Sequence, residues 1–112
     1  MNFKAILDVT RANGGATINT YTGEPISQDS GYVVALPNAE LILTEDDNWL
    51  SGLKRYVRKL RRGEYLGTWL HNGKLYLDSS IIVEDRKIAQ RLAERYEQLA
   101  YFDLNTKTTI NT

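Results

Sequence analysis

The sequence predicts an α+β fold, a small twisted antiparallel sheet with about three helices, formed as a single domain over residues 1–112. Apolar residues recur at helical spacing in three segments, and short segments with strand-like alternation lie between them. An Asn-Gly pair joins two of the strand segments in the manner of a hairpin turn. The strands are too short and too rich in threonine for a doubly wound parallel sheet. Helices among antiparallel strands therefore indicate one sheet with helices on one face.

Two helices are bounded by clear signals. The first is expected to begin after Asn2, a good N-cap residue, and to end at Gly14 and Gly15. The third is expected over residues 85–97. The apolar positions of the first helix are Phe3, Ile6, Leu7 and Thr10, and the predicted buried stripe of the third is Ile88, Ala89, Leu92, Ala93 and Tyr96.

The second helix has the strongest pattern. Thr44 and Asp47 resemble a capping box at its start, and Gly63 is the expected stop. Its apolar side chains occupy an arc of roughly 120° on a helical wheel, which predicts a buried stripe. These side chains are Trp49, Leu50, Leu53, Tyr56, Val57 and Leu60.

Strands are predicted in the remaining segments. The hairpin pairs residues 65–70 with residues 75–78 around a turn at 71–74, and residues 81–83 extend or follow its second strand. Single strands are predicted at residues 16–21, 31–36, 40–43, 100–104 and 107–110. Turns fall at Pro37-Asn38 and Asn105-Thr106.

Composition excludes several classes of protein. The chain has 42% hydrophobic and 25% charged residues, as is usual for a globular domain. It has no cysteine and one histidine, which argues against disulfides, thiolate zinc sites and histidine metal clusters. No apolar run approaches the ~18 residues of a membrane span, and no signal peptide opens the chain. We therefore expect a cytoplasmic protein with no membrane partner.

Charge is balanced in total but not along the chain. Residues 1–47 carry seven acids and two bases, residues 48–63 carry six bases and no acid, and residues 64–112 carry seven acids and six bases. The six bases are predicted to fill the side of the second helix opposite its apolar stripe. They are Lys54, Arg55, Arg58, Lys59, Arg61 and Arg62.

These cations have two interpretations. As a functional surface, they would bind phosphates of a nucleic acid or an acidic protein. As a structural feature, they would be solvated side chains placed favourably near the C-terminus of the helix, with Glu45, Asp46 and Asp47 at its start. Like-charge pairs four residues apart each cost an isolated helix a few tenths of a kcal/mol, and no acid on that side relieves them.

Aromatic residues form the second candidate site. Tyr65 and Trp69 share one face of the hairpin strand, and Tyr76 is placed to meet one of them across the turn. Such a group would serve as a stacking platform for bases or as a hot spot for a protein partner. The alternative, favoured because strand aromatics usually face a core, is that these rings pack under the helices.

No set of residues indicates catalysis. Asp78 and Asp103 would bind a cation only if the fold brought them together, and turn capping is the plainer account of each. His71 is expected to be a structural turn residue, and Ser79 and Ser80 have no local histidine partner. There is no phosphate-binding glycine loop and no zinc-protease motif. We expect no enzyme, no cofactor and no metal site.

Turn glycines, strand aromatics and strand-end aspartates follow one another along the chain in an order that resembles the order in a known group of proteins. This series of residues spans most of the chain. It runs from residues 14–18 and 31–34 through residues 65–69 and 73–78 to Ala89 and residues 98–104. In this respect the chain is similar to small accessory proteins carried by phages, prophages and plasmids of bacteria. The resemblance implies a non-enzymatic protein that counters host defence, in the manner of an anti-CRISPR inhibitor.

The leading hypothesis is therefore an inhibitor that binds a host defence protein or ribonucleoprotein complex. The candidate partner-binding residues are Lys54, Arg55, Arg58, Lys59, Arg61, Arg62, Tyr65 and Trp69. A nucleic-acid-binding module is an alternative that uses the same basic residues. A nucleotide-sequestering protein is another, and it would need a pocket lined by Tyr or Trp together with Arg. Pairing of an edge strand at residues 107–110 would permit a homodimer.

Overall fold

Three helices and seven strands form the chain in the computed structural model, which describes all residues 1–112. The helices are α1 (Phe3–Asn13), α2 (Trp49–Arg58) and α3 (Arg86–Arg95). The strands are β1 (Gly15–Asn19), β2 (Tyr32–Ala35), β3 (Leu41–Leu43), β4 (Tyr65–His71), β5 (Lys74–Val83), β6 (Ala100–Asp103) and β7 (Thr108–Asn111). The predicted α+β class is confirmed, and every predicted element is present.

All the strand pairs with a described register are antiparallel. The strands lie in the order β1-β4-β5-β2-β6-β7, and β3 pairs with β5 beside this path. Strand β5 runs through Ser79 and Ser80 without a break, so residues 81–83 belong to the same strand as residues 75–78. Contacts divide the chain into two compact units, Met1–Ile26 with Glu40–Ser79 and Ser27–Ala39 with Ser80–Thr112.

In the first unit, α1 and α2 pack on strands β1, β3, β4 and the first half of β5. Its buried core is aliphatic and consists of Ile6, Leu7, Ile18, Leu43, Leu53, Leu66, Leu75 and Leu77. One polar pair lies within it, because Thr10 is 1% and Thr68 is 6% exposed. Their hydroxyl oxygens are 2.7 Å apart, and the Thr10 hydroxyl also donates to the carbonyl oxygen of Ile6. Each buried hydroxyl thus has a partner, which avoids the desolvation penalty of an unpaired group.

The observed boundaries of α1 agree with those predicted from the sequence. The side-chain oxygen of Asn2 accepts a hydrogen bond from the backbone N–H of Ala5 at 3.0 Å. Gly14 ends the helix at φ 82°, and its N–H donates to the carbonyl oxygen of Thr10. Gly15 already belongs to β1, so one glycine suffices for the stop.

The boundaries predicted for α2 are wrong at both ends. Asn48 is the N-cap, since its side-chain oxygen accepts from the backbone N–H of Ser51 at 3.0 Å. Asp47 instead closes the preceding turn by accepting from the backbone N–H of Thr44 at 2.7 Å. The helix ends at Arg58, whereas Gly63 adopts φ 85° in a separate turn.

The hairpin between β4 and β5 is confirmed. Asn72 and Gly73 have φ values of 50° and 75°, as a type I′ turn requires. These angles match the twist of the flanking strands, and Asn-Gly adopts them with little strain. The turn sets which side chains of β4 and β5 share a face.

In the second unit, α3 packs on β2 and β6. The buried core residues are Val34, Ala89, Ala93 and Tyr101. Asp85 is the N-cap, and its carboxylate accepts from the backbone N–H groups of Lys87 and Ile88. Ile88 was expected in the buried stripe, which is wrong, because its side chain is 47% exposed. The rest of the predicted stripe is confirmed, since Ala89 and Ala93 are buried and Leu92 and Tyr96 are partly buried against the same core.

None of the three helices has the length and apolar composition needed to cross a membrane.

We predict that Gly15→Ala destabilises the protein more than Gly52→Ala. A Cβ atom at Gly15 would lie 2.7 Å from the carbonyl oxygen of Thr68, and this backbone atom moves only if β1 and β4 separate. We expect a loss of about 1–3 kcal/mol in the free energy of unfolding, measured by urea denaturation.

Gly52→Ala is the matched control, because the same added methyl would meet the end of the Leu43 side chain, which can rotate. Alanine is also preferred to glycine within a helix by about 1 kcal/mol. We expect a change of about 1 kcal/mol or less. Equal losses in the two variants would contradict the argument.

Candidate functional site

The basic segment, defined as the six cations within residues 54–62, does not form one helix face. Lys54, Arg55 and Arg58 lie on α2, Lys59 is its C-cap, and Arg61 and Arg62 lie in the following loop. All six side chains are exposed. The predicted helical arrangement is therefore wrong for Arg61 and Arg62, because the helix ends at Arg58.

The basic segment is not neutralised by carboxylates of the chain. None of its side chains forms an ion pair with an Asp or Glu. The carboxylate of Glu64 accepts from the backbone N–H of Arg61 at 2.8 Å, which leaves the guanidinium charge unmatched. Arg62 donates from Nε to the hydroxyl of Tyr21 at 2.8 Å, a neutral partner. The six positive charges thus face solvent without an internal counterion.

Two cation–aromatic contacts join the basic side of α2 to α1. The ammonium of Lys54 lies 5.9 Å from the ring centroid of Phe3, and the guanidinium of Arg11 lies 5.5 Å from that of Trp49. Both distances fall within the range of a favourable cation–π interaction. Trp49 is held by a hydrogen bond from Nε1 to the carbonyl oxygen of Thr44 at 2.8 Å. The positive surface therefore continues from α2 onto α1.

A shallow groove of about 610 Å³ lies between the start of α1 and α2. Its lining residues are Met1, Asn2, Phe3, Lys4, Leu50 and Lys54. Met1 is 48% and Leu50 is 39% exposed, so the groove combines apolar walls with two lysines. Leu50 was expected in the buried stripe, which is wrong, since it sits at the edge of the apolar arc.

The aromatic residues of the hairpin face solvent, so the packing interpretation favoured by the sequence is wrong for Trp69. Its side chain is 51% exposed. It stacks on the imidazole of His71 with ring centroids 4.6 Å apart and contacts Tyr76 at 5.0 Å. Tyr65, on the same face of β4, is half-buried.

Strand alternation explains this outcome. Leu66 and Thr68 on β4, with Leu75 and Leu77 on β5, point into the core under α1 and α2. The aromatic residues have the opposite parity and therefore lie on the face that α1 and α2 do not cover. The alternating leucines were visible in the sequence and are the signal that would have identified the core face.

Asp78 lies on this solvent-facing side of β5 and has an unusual environment. Its carboxylate sits directly over Gly67, where any side chain would overlap it. Burial, together with the nearby negative charge of Glu40, raises its pKa from 3.8 to about 6. No donor hydrogen bond offsets these two effects. Asp78 is therefore a carboxyl group whose charge is poorly stabilised in the folded protein.

The other candidate polar residues have structural roles. Asp103 accepts from the backbone N–H of Asn105 at 2.8 Å and from its side chain at 2.9 Å. Burial works to raise the pKa of Asp103, but hydrogen bonds from Asn105 and Thr106 outweigh it and lower the pKa. His71 stacks on Trp69 and pairs with the side chain of Asn72. No group of three or more metal-ligating side chains is present.

Comparisons with known proteins find no match to this chain among protein-family models, curated proteins or solved structures. The resemblance to mobile-element accessory proteins therefore stays a prediction.

We predict that the charge of Asp78 lowers stability above its pKa. Because folding raises that pKa from 3.8 to about 6, the native state binds the proton more tightly than the unfolded chain in this window. The free energy of unfolding should therefore fall as the pH rises from about 4 to about 6. Asp78→Asn should remove that fall and stabilise the protein at pH 7 by about 1–2 kcal/mol, after allowing for partial solvent screening.

Urea denaturation at a series of pH values measures this effect. Asp46→Asn is the matched control, because it removes one carboxylate at an exposed position before α2. The control should change the pH profile little. If Asp78→Asn and the parent protein lose stability in parallel between pH 4 and 6, the assignment to Asp78 is wrong.

Proposed function

We propose that this protein is a non-enzymatic binding protein that docks on an acidic surface of a partner protein through the basic segment and the adjoining α1–α2 groove. The observation that carries the proposal is the set of six exposed cations with no carboxylate partner in the chain. Cations held apart from internal counterions are available for intermolecular pairing, and such charges accelerate association and fix orientation.

Two features favour a protein partner over a nucleic acid. The groove beside Lys54 has apolar walls at Met1 and Leu50, which suit apolar side chains rather than phosphates. Exposed Glu45, Asp46 and Asp47 precede α2 and would repel a phosphodiester backbone that extended along the helix. Mixed apolar and charged surfaces are typical of protein interfaces.

Trp69 and Tyr65 are proposed as a second partner contact, on the face of the first unit that α1 and α2 leave open. A large, half-exposed indole that is held by stacking has little conformational freedom to lose on binding, and tryptophan is enriched in interface hot spots. Trp69→Ala should therefore weaken partner binding without the loss of stability that follows truncation of a buried aromatic residue.

The resemblance to accessory proteins of phages, prophages and plasmids suggests the kind of partner and the cellular location. It favours an inhibitor of a bacterial defence system in the cytoplasm of a host cell. Such an inhibitor acts by covering a surface of its target, which requires a stable scaffold and a complementary face but no catalytic group.

Charge reversal tests the role of the basic segment. Lys54, Arg55 and Arg58 are exposed on α2, so replacing all three by Glu should leave the fold intact. We expect at least a tenfold loss of affinity for a partner isolated from a bacterial host with the parent protein, measured by titration calorimetry. Circular dichroism and thermal unfolding verify that the variant is folded.

The matched control reverses three cations on another helix, Lys87, Arg91 and Arg95 of α3. The control should bind the partner as the parent does. If both triple variants lose affinity equally, net charge and not the basic segment governs binding. If the α2 variant binds unchanged, the proposal fails.

A nucleic-acid titration distinguishes the nucleic-acid-binding alternative from binding to a partner protein. The isolated protein is titrated with labelled DNA and RNA at several salt concentrations. Tight binding that weakens steeply with salt and is lost in the α2 variant would favour the nucleic-acid-binding alternative over a protein partner.

A further inference from the structure

The sheet face of the first unit that α1 and α2 leave uncovered carries a carboxyl group beside two aromatic rings. Asp78 and Tyr76 lie two residues apart on this face of β5, a spacing of about 7 Å along a strand. Trp69 of β4 contacts Tyr76 with ring centroids 5.0 Å apart. The Asp78 carboxyl group sits over Gly67, two residues before Trp69 on the same face. The carboxyl group and both rings therefore border one short stretch of surface.

This stretch of surface is open to solvent. Trp69 is 51% exposed, and Tyr76 and Asp78 are partly exposed. No hydrogen bond acts on the Asp78 carboxylate, and the fully buried unpaired groups of the chain are instead the hydroxyls of Ser80 and Tyr101. The carboxylate oxygens of Asp78 are therefore accessible from outside, and a group of another molecule can reach them together with the rings.

The charge of Asp78 has no counterion within the chain. Leu41 pairs with Leu77, so Glu40, the residue before β3, comes opposite Asp78 on the neighbouring strand. Like charges in opposite positions of two strands are destabilising. Lys74 is the one lysine or arginine on β1, β3, β4 and β5, and it lies four residues from Asp78, about 13 Å along the strand. Glu40 is the charge that acts on the pKa of Asp78, and no cation offsets it.

The two rings favour the same kind of ligand as the carboxylate. The faces of Trp and Tyr rings attract a cation that lies within ~6 Å of the ring centroid. A guanidinium group is planar, stacks on aromatic rings and pairs with a carboxylate through two parallel hydrogen bonds. The imidazole of His71 stacks on the indole of Trp69 at 4.6 Å and holds it in place. One guanidinium group can therefore contact a ring and the Asp78 carboxylate at the same time.

We propose that this face binds an arginine side chain of a partner protein, with the guanidinium paired to the Asp78 carboxylate and stacked against Trp69 and Tyr76. Exposed Glu40 adds a second negative charge at the rim. Ile42 pairs with Tyr76 and is 44% exposed, so it offers an apolar contact to the methylene groups of the arginine. The inference rests on the proposed function in one respect, since it gives the chemistry of the second partner contact. It does not depend on the basic segment.

Titration of the full chain with N-acetylarginine amide and with N-acetylcitrulline amide, monitored by amide chemical shifts, tests the proposal. Citrulline has nearly the shape of arginine but no positive charge. We expect the arginine probe to shift resonances of β4 and β5 around Gly67 and Asp78, and the citrulline probe to leave them in place. Asp78→Asn should weaken binding of the arginine probe about tenfold, as loss of a hydrogen-bonded charge predicts. Trp69→Leu should weaken it about two- to fivefold.

Two control variants isolate the site. Asp46→Asn removes the same charge at an exposed position before α2 and should bind the arginine probe as the parent does. The charge reversal of Lys54, Arg55 and Arg58 should also retain this binding, so failure of the site and failure of the proposed function are distinguishable. Thermal unfolding verifies that Asp78→Asn is folded.

Three results would overturn the proposal. The first is the absence of shifts in β4 and β5 with the arginine probe, or equal shifts with both probes. The second is unchanged binding of the arginine probe by Asp78→Asn. The third is a concentration-dependent shift of β4 and β5 without any probe that Asp78→Asn removes, which would mean that a second copy of the chain covers this face.

Discussion

The parity of side chains along the β4–β5 hairpin is the constraint on which the first unit depends. The positive φ angles of Asn72 and Gly73 fix the register of the two strands, so leucines alternate into the core and aromatic residues alternate out of it. A shift of one residue would exchange these two faces. The helices α1 and α2 then cover the aliphatic face, and Trp69 is left exposed on the other.

The same alternation separates the charges of the first unit. The side chain of Asp78 lies on the uncovered face of β5 over Gly67, where it has no cationic partner. The basic segment lies on and after α2, which packs against the opposite face. The face that carries Trp69 and Asp78 is thereby kept away from the basic segment.

The second unit has two unfavourable polar features, a buried hydroxyl and two cations at the N-terminus of a helix. Its helix approaches the strands through Ala89 and Ala93, and this close packing buries Tyr101 to the level of its hydroxyl. The same helix places Arg86 and Lys87 at its N-terminus, against the helix dipole. Neither feature favours the isolated fold.

The sequence by itself determined the fold class, the order of elements, the Asn2 and Gly14 caps and the hairpin turn, because these depend on local backbone preferences and side-chain periodicity. It did not determine the end of α2 at Arg58, where the backbone N–H groups of Lys59 and Leu60 donate to the carbonyl oxygens three residues back instead of four. It did not reveal the exposure of Trp69, Leu50 and Ile88 either. Which side of a strand or helix is covered depends on the elements that pack on it. A groove along α3 was beyond the sequence for the same reason, since tertiary packing alone places Tyr101 of β6 beside residues of α3.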